Sequence, residues 1–238
     1  MPENQPLDAY SKQLGSSMNI SFDHLHYIAI EGVIGVGKTS LAQLLHQRMG
    51  GRLVLEEFEE NPFLEEFYKD PKRYAFQTQI FFLLSRFKQQ EKIEQYDLFD
   101  RRIIADYMFY KDRIFATLNL DEKEYALYDM VARVLEKRIV KPDLAIYLRA
   151  STPRLMRNIQ QRGRVYEKHI TTEYIDSLNQ LYDEFFFHYT ETPLLIINTD
   201  NIDFVHNEQH FEQILIEISR HTKGKKIINF DLDEGFLA

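Results

Sequence analysis

Eight residues in the first fifth of the chain match the pattern G-x-x-x-x-G-K-[ST], which is typical of loops that bind nucleotide phosphates. They run from Gly32 to Thr39 as GVIGVGKT. Backbone N–H groups of such a loop surround the phosphates, and the helix that follows directs its positive end toward the same anion. We expect Lys38 to reach the terminal phosphates and the Thr39 hydroxyl to bind Mg²⁺. The predicted nucleotide-binding residues are Gly32, Val33, Ile34, Gly35, Val36, Gly37, Lys38, Thr39 and Ser40.

Charged residues at two later points indicate how the nucleotide is used. Glu56 follows a predicted strand at 53–55, and its neighbour Glu57 would face the opposite way. Carboxylates at this end of a parallel strand can project into the cleft where open α/β sheets bind ligands. Arg162 and Arg164 flank a glycine at a predicted helix end, which suits either a lid over transferring phosphates or a solvated helix terminus. With no N-K-x-D or D-x-x-G motif of GTPases, the sequence favours a kinase that acts on a small molecule.

The elements that must position these residues form an alternating pattern. Short apolar segments alternate with helical segments, which predicts a parallel sheet covered by helices on both faces. Asp121 and Glu124 form a capping-box pattern, and Pro62 after Asn61 suits the start of a short helix. We expect an α/β P-loop kinase fold with a five-stranded parallel sheet and an arginine-containing lid. The predicted strands are 26–30, 53–55, 102–105, 144–148 and 194–197, and the main predicted helices are 38–49, 71–96, 108–118, 121–138, 152–162, 172–188 and 208–221.

Composition and charge exclude several classes of protein. The 238 residues include no cysteine, which excludes a disulfide framework, a thiolate metal site and a cysteine nucleophile. The formal net charge of −8 disfavours binding to nucleic-acid polymers, and no apolar run is long enough to span a bilayer. We therefore expect a cytoplasmic protein without a nucleic-acid or membrane partner. We expect a flexible leader at 1–22, a single domain at 23–222 and a peripheral tail at 223–238.

Six motifs, in the same order along the chain, resemble those of the deoxynucleoside kinases, and most of all the bacterial deoxyadenosine/deoxyguanosine kinase branch. The resemblance extends over about residues 26–206 and is more specific than the phosphate loop alone. It implies transfer of phosphate from ATP to the 5′-hydroxyl of a deoxynucleoside, with Mg²⁺, by a homodimer. The motifs are EGVIGVGKT at 31–39, E-x-x-x-x-N-P-F-L at 56–64, FYKDPKRYAFQTQ at 67–79, LSR at 84–86, KDRIFA at 111–116 and R-G-R-x-x-E at 162–167.

The resemblance also implies roles for individual residues. Glu56 matches the general base, and Asp106, which ends the third predicted strand, matches a metal-side carboxylate that acts with Thr39. Gln79 and Arg86 lie two turns apart on one face of a helix, and the family pattern implies that Gln79 contacts the nucleobase. The other matches are Arg86 paired with Asp112, Tyr68 and Glu167 at the deoxyribose 3′-hydroxyl, Lys38, Arg162 and Arg164 on the phosphates, and Phe204 at the ATP base.

The sequence departs from the family pattern at one point. Many members read [DE]-R-S where this chain reads DYM at 106–108, so Tyr107 stands in place of an arginine. Lys111 or a lid arginine is the candidate to supply the missing positive charge. The Arg86 and Asp112 pair implies deoxyadenosine and/or deoxyguanosine as substrate, with deoxycytidine also possible.

Other interpretations of the same residues remain open at this point. Glu56 also suits a solvated acidic turn, Gln79 and Arg86 a structural polar pair between helices, and Phe204 an ordinary core position. Two other functions share the phosphate loop and the sheet: a nucleoside monophosphate kinase of the thymidylate kinase type, and a non-catalytic structural subunit. A monophosphate kinase should carry an arginine for the acceptor's phosphate near the second strand, where this chain has Glu56.

Overall fold

A parallel β-sheet forms the centre of the protein. The computed structural model describes residues 21–57, 60–96 and 102–230, with the backbone alone for 94–96. Most of the predicted leader, residues 1–20, and part of the predicted tail, residues 231–238, therefore lie outside the described residues. The strands in chain order are β1 (Tyr27–Gly32), β2 (Arg52–Val54), β3 (Ile103–Ala105), β4 (Leu144–Arg149), β5 (Leu194–Asn198) and β6 (Lys225–Ile228).

The six described strands lie in the order β2-β3-β1-β4-β5-β6, and every neighbouring pair is parallel. Every residue of β1 is buried, and β1 pairs with β3 on one side and β4 on the other. Such a strand can be apolar along its length, as the segment YIAI is. The next two strands along the chain, β2 and β3, lie on one side of β1, and β4, β5 and β6 lie on the other. A crevice therefore opens beyond the carboxyl end of β1, where ligands of such folds bind.

The helices begin close to where the sequence predicts them. The capping box is confirmed, since Asp121 accepts from the backbone N–H groups of Lys123 and Glu124 at 2.9 Å each. The short helix predicted at Pro62 instead begins at Leu64. The described helices are α1 (Lys38–Met49), α2 (Leu64–Lys69), α3 (Pro71–Tyr96), α4 (Lys111–Asn119), α5 (Glu122–Glu136), α6 (Thr152–Arg162), α7 (Thr172–His188) and α8 (Glu208–Arg220), with a short 3-10 helix at Val165–His169.

The prediction of a five-stranded sheet is wrong by one strand. β6 pairs in parallel with β5, with Lys225 opposite Leu194 and Ile228 opposite Ile197. These residues were expected in the peripheral tail, beyond a domain boundary at 222. The segment is short, and two of its four residues are lysines, so its own pattern gives little sign of a strand. It lies at the edge of the sheet, where charged side chains are common.

A stack of aromatic rings holds α7 against the sheet. The rings of Tyr147 on β4 and Phe186 on α7 lie 4.3 Å apart, centroid to centroid, with an interplanar angle of 11°. Tyr182, one turn earlier on α7, stacks on the same Tyr147 ring at 6.2 Å. A second apolar cluster joins α3, α4 and α5 through Leu83, Ala116 and Tyr128. None of the helices in the described ranges has both the length and the apolar character needed to cross a membrane.

The turn from α1 into β2 requires glycine at one position. Gly50 ends α1, as its place in the sequence predicts, and Gly51 follows with φ of +91°. A Cβ at Gly51 would lie 2.5 Å from the carbonyl oxygen of Arg102. This close approach of two backbone segments brings the start of β2 beside the start of β3.

Candidate active site

A cleft lies beyond the carboxyl ends of β1, β2 and β3. The phosphate loop, α2, α3, the start of α4 and the segment after α6 all contribute to its walls. Eight of the predicted site residues lie outside the lining of this cavity: Gly32, Val33, Gly35, Val36, Gly37, Ser40, Asp112 and Phe204. The predicted residues that line it together are Ile34, Lys38, Thr39, Glu56, Tyr68, Gln79, Arg86, Asp106, Arg162, Arg164 and Glu167.

The phosphate loop leaves β1 at Gly32 and enters α1 at Lys38. Gly32, Gly35 and Gly37 all have positive φ, at 154°, 87° and 104°. At Gly32 a Cβ would lie 2.5 Å from the carbonyl oxygen of Leu148 on the neighbouring strand β4. A side chain at this position would therefore block the path of the backbone. Glycine allows that path, which lets the loop curl around phosphates.

Lys38 folds back over the loop that precedes it. Its Nζ donates to the carbonyl oxygens of Gly32 at 2.7 Å and Val33 at 3.3 Å. Burial, together with the nearby ammonium of Lys111, lowers the pKa of Lys38 to about 8. A phosphate group beside Lys38 would stabilise the charged form of its ammonium group.

Thr39 and Asp106 meet across the base of the cleft. The Thr39 hydroxyl donates to Asp106 Oδ2 at 2.5 Å, and Asp106 Oδ1 accepts from the backbone N–H of Glu56 at 2.7 Å. Burial raises the pKa of Asp106 above its ordinary value. A hydroxyl and a carboxylate are oxygen ligands of the kind that Mg²⁺ takes while keeping several waters. The two side chains therefore fit a magnesium ion beside the phosphate loop.

Glu56 lies in the cleft, whereas its neighbour Glu57 is exposed. Glu56 Oε1 accepts from Arg86 Nε at 3.1 Å and from Arg86 Nη2, and Oε2 accepts from Lys111 Nζ at 2.7 Å. Burial alone would raise the pKa of Glu56, but the cations of Lys111 and Arg86 outweigh it and hold the pKa well below its ordinary value. Glu56 is therefore an ionised carboxylate in a mainly enclosed site.

Arg86 and Asp112 form the ion pair that the family resemblance implies. Arg86 Nη1 donates to Asp112 Oδ1, and both side chains are almost completely buried. Gln79, also on α3, is 2% exposed and lines the cavity. Its Oε1 has no hydrogen-bond partner within the described part of the chain. An unpartnered buried amide that faces a cavity is a group prepared for a polar ligand.

Residues at and just after the end of α6 form a second cluster beside the cleft, together with Tyr68 on α2. Arg162 Nε donates to Glu167 Oε2 at 2.7 Å, and Arg164 Nη1 lies 3.8 Å from Glu167 Oε1. The rings of Tyr68 on α2 and Tyr166 stack with centroids 6.3 Å apart. Burial raises the pKa of Tyr68 well above its ordinary value, so its hydroxyl keeps its proton. This cluster brings two arginines, a carboxylate and two phenols to one side of the cavity.

Phe204 and Tyr107 both lie outside the lining of the cavity. Phe204 is 6% exposed, and its Cζ lies 3.1 Å from where a Cβ would stand on Gly37, so its ring packs against the phosphate loop. Tyr107, which replaces the arginine of the family pattern, is completely buried in the core. Burial raises the pKa of Tyr107 far above its ordinary value, so it contributes no charge to the cleft.

Glu31 has a structural role that the sequence motifs did not predict. It is the one charged residue of β1, is completely buried, and follows the apolar run YIAI directly. Its Oε1 accepts from Gly32 N at 2.8 Å and from the Tyr182 hydroxyl at 3.0 Å, and its Oε2 accepts from Met108 N at 2.9 Å. Glu31 thus ties the phosphate loop to α7 and to the segment that follows β3. A carboxylate inside a buried strand was the available signal.

The doubly covered parallel sheet, with a glycine-rich phosphate loop between β1 and α1, defines a P-loop nucleotide-binding protein. The chain belongs to the deoxynucleoside kinase family, whose model matches residues 28–223. It is similar to the deoxyguanosine kinase of Bacillus subtilis, with 38% identity over 197 residues, covering 81% of this chain and 95% of that protein. It also shares 37% identity over 197 residues with the deoxyadenosine kinase of Dictyostelium discoideum, covering 80% of this chain and 78% of that protein.

A solved structure agrees with this assignment. The deoxyadenosine kinase from M. mycoides with bound dATP superposes with a TM-score of 0.70 and 30% sequence identity, covering 81% of this chain and 98% of that one. The α/β fold with a parallel sheet that the sequence predicts is therefore confirmed.

Proposed function

We propose that this protein transfers the terminal phosphoryl group of ATP to the 5′-hydroxyl of a deoxynucleoside. The observation that carries the proposal is the carboxylate of Glu56, which lines the same cavity as Lys38 and Thr39. A hydroxyl acceptor must lose its proton as it attacks, and a carboxylate held within reach can accept that proton. The phosphate of a monophosphate acceptor would lie beside the ionised Glu56 carboxylate, and the two nearby cations, Arg86 and Lys111, are already paired with that carboxylate. This disfavours a monophosphate kinase. The presence of Glu56, Lys38 and Thr39 in one cavity also disfavours a structural subunit.

The phosphate end of the reaction needs positioning and charge neutralisation rather than covalent help. Lys38 would exchange its carbonyl partners for phosphate oxygens, which hold its charged form. Arg162 and Arg164 would act as a lid that closes on the transferring group, supported by their place on the cavity wall. Mg²⁺, held by Thr39 and Asp106, would supply further positive charge to the phosphate oxygens. Phe204 would support the ATP-binding side of the site by packing against the phosphate loop at Gly37.

The deoxynucleoside would bind to the side chains of α2, α3 and the segment after α6 that line the cleft. Gln79 presents an amide whose Oε1 is unpartnered among the described residues, and an amide can donate to and accept from one base edge. Tyr68 and Glu167 would hold the deoxyribose 3′-hydroxyl. Arg86, fixed by Asp112, would support the base site from behind. We propose deoxyadenosine and/or deoxyguanosine as substrate, because similar proteins are named for these two nucleosides.

Deoxycytidine is the second candidate for the substrate. A Bacillus subtilis relative with 31% identity over 209 residues is named deoxyadenosine/deoxycytidine kinase. Adenine and cytosine both carry an amino group beside a ring nitrogen acceptor, and one amide such as that of Gln79 can pair with either edge.

We also propose that two copies of the chain pair through α5. Leu127, Met130 and Val134 lie at helical spacing on this helix, and they are 46%, 62% and 64% exposed. Leu84 on α3 is also exposed, at 44%. A stripe of large apolar side chains on a surface helix favours an interface with a second helix.

The test of the proposed reaction is the identity of the product. The protein is incubated with Mg²⁺, ATP labelled on the terminal phosphate, and deoxyadenosine or deoxyguanosine. We expect label in the nucleoside 5′-monophosphate and none when 2′,5′-dideoxyadenosine, which lacks the acceptor hydroxyl, replaces deoxyadenosine. Label at the 3′ position, or equal loss of ATP label with and without the 5′-hydroxyl, would contradict the proposal.

A further inference from the structure

Lys111 occupies an unusual place for a lysine. It is the first residue of α4 and only 6% exposed, and its Nζ lies 2.7 Å from Glu56 Oε2. Lysine is rarely buried to this extent without a partner, and a helix N-terminus is an unfavourable position for a cation. The Glu56 carboxylate offsets both costs. This pairing therefore determines where the Lys111 side chain lies.

The Glu56 carboxylate is held from two different helices. Arg86 on α3 donates twice to Oε1, and Lys111 on α4 donates to Oε2. A carboxylate held at both oxygens cannot rotate freely about its terminal bond. Each carboxylate oxygen has two lone pairs, and Lys111 is the donor to Oε2 among the described residues. One lone pair of Oε2 is thus left for an incoming hydroxyl.

Two neighbours, the Glu56 carboxylate and the Phe115 ring, fix the Lys111 ammonium itself. The Phe115 ring, one helical turn later, lies 5.6 Å from Lys111 Nζ in a cation–π contact, and Phe115 also lines the cavity. Tyr107, at the position where the family pattern has an arginine, is buried in the core and provides no charge here. Lys111 is therefore the side-chain cation from the segment after β3 that reaches the cavity.

We propose that Lys111 is a positioning residue for the transfer step, because with Arg86 it fixes the Glu56 carboxylate so that one lone pair of Oε2 faces the acceptor hydroxyl. This inference rests on the proposed function of Glu56 as the general base. The proton of the hydroxyl passes to Glu56 as the new O–P bond forms and the bond between the terminal phosphorus of ATP and the bridging oxygen breaks, which releases ADP. Lys111 takes no part in the proton transfer itself.

The experiment is a double-mutant cycle on kcat. Lys111→Met keeps the length of the side chain but removes its charge, and Glu56→Gln removes the base. In the otherwise natural protein, Lys111→Met should lower kcat about 10- to 100-fold, since misplacing a catalytic group by about 1 Å costs that much. The KM for ATP should change by less than about threefold. In the Glu56→Gln background, Lys111→Met should change kcat by less than about twofold, because no base remains to be positioned.

Several results would overturn the inference. If Lys111→Met lowers kcat by the same factor in both backgrounds, Lys111 acts independently of Glu56. If Lys111→Met alone leaves kcat within about twofold of the natural protein, no positioning role exists. If Glu56→Gln alone keeps near-natural kcat, the proposed base is wrong as well, which separates the two failures. Lys223→Met, at an exposed site, is the matched control. Lys111→Gln replaces Lys111→Met, with the same expectations, if the methionine variant does not fold.

Discussion

Replacement of Glu56 by alanine and by glutamine separates its chemical role from its structural one. Alanine removes both the proposed proton acceptor and the partner of two buried cations, Arg86 and Lys111. Glutamine removes the basicity but keeps a carbonyl oxygen that can accept a hydrogen bond from Arg86 or Lys111. The two variants should therefore lose similar amounts of activity but different amounts of stability.

The expected magnitudes follow from the contacts of Glu56. Loss of a general base costs about 10²- to 10⁴-fold in kcat, which is about 2.7–5.4 kcal/mol of transition-state stabilisation. Breaking a buried ion pair costs about 3–5 kcal/mol of folding free energy. Arg86 keeps Asp112 as a partner, and the Glu56 side chain is 12% exposed, so we expect about 3 kcal/mol for Glu56→Ala. Glu56→Gln should cost about 1–2 kcal/mol.

The assay combines steady-state kinetics with urea unfolding of each variant. Saturating Mg-ATP and deoxynucleoside give kcat per folded molecule, and titration calorimetry gives the affinity for ATP. We expect both variants to bind ATP within about threefold of the natural protein, since Lys38 and the phosphate loop are unchanged. A folded Glu56→Gln protein with kcat within about threefold of the natural value would refute the assignment of Glu56 as the base.

Three further predictions concern the base site, the fold and the oligomer. Asp112→Ala leaves Arg86 with Glu56 alone, so the ratio of kcat/KM for purine over pyrimidine deoxynucleosides should fall about tenfold; an unchanged ratio would show that the pair does not select the base. Gly51→Ala combines positive φ with a backbone clash and should lower the free energy of unfolding by about 3 kcal/mol, against about 1 kcal/mol for Gly224→Ala, which has positive φ but open space around it. Equal losses in urea unfolding would contradict the clash. Met130→Glu should convert a dimer to a monomer in sedimentation equilibrium, whereas a natural protein that is already monomeric would exclude the α5 interface.

Features that depend on neighbouring residues could be predicted from the sequence, whereas features that depend on distant contacts could not. The phosphate loop is local, since its glycines and Lys38 follow one another along the chain, and so is the capping box at Asp121. The parallel sheet follows from the alternation of elements. β6 escaped prediction because its pairing with β5 is a tertiary contact and its four residues carry no apolar alternation.

The arrangement around Glu56 shows the same limit. Glu56 and Glu57 are indistinguishable by residue type, and only the path of the chain after β2 directs one into the cleft and the other to solvent. The contact between Glu56 and Lys111 joins residues that are 55 positions apart. The contacts of Glu31 show it too, because two of its three partners, Met108 and Tyr182, lie 77 and 151 positions further along the chain.

The most direct test of the proposed phosphoryl transfer to a deoxynucleoside is a comparison of acceptors in one panel. Initial rates of phosphoryl transfer from Mg-ATP are measured for the four deoxynucleosides and for their four 5′-monophosphates under identical conditions. We expect the deoxynucleosides to be phosphorylated, with deoxyadenosine or deoxyguanosine the fastest, and the monophosphates not to be phosphorylated. Faster transfer to a monophosphate than to any deoxynucleoside, giving a diphosphate, would contradict this expectation.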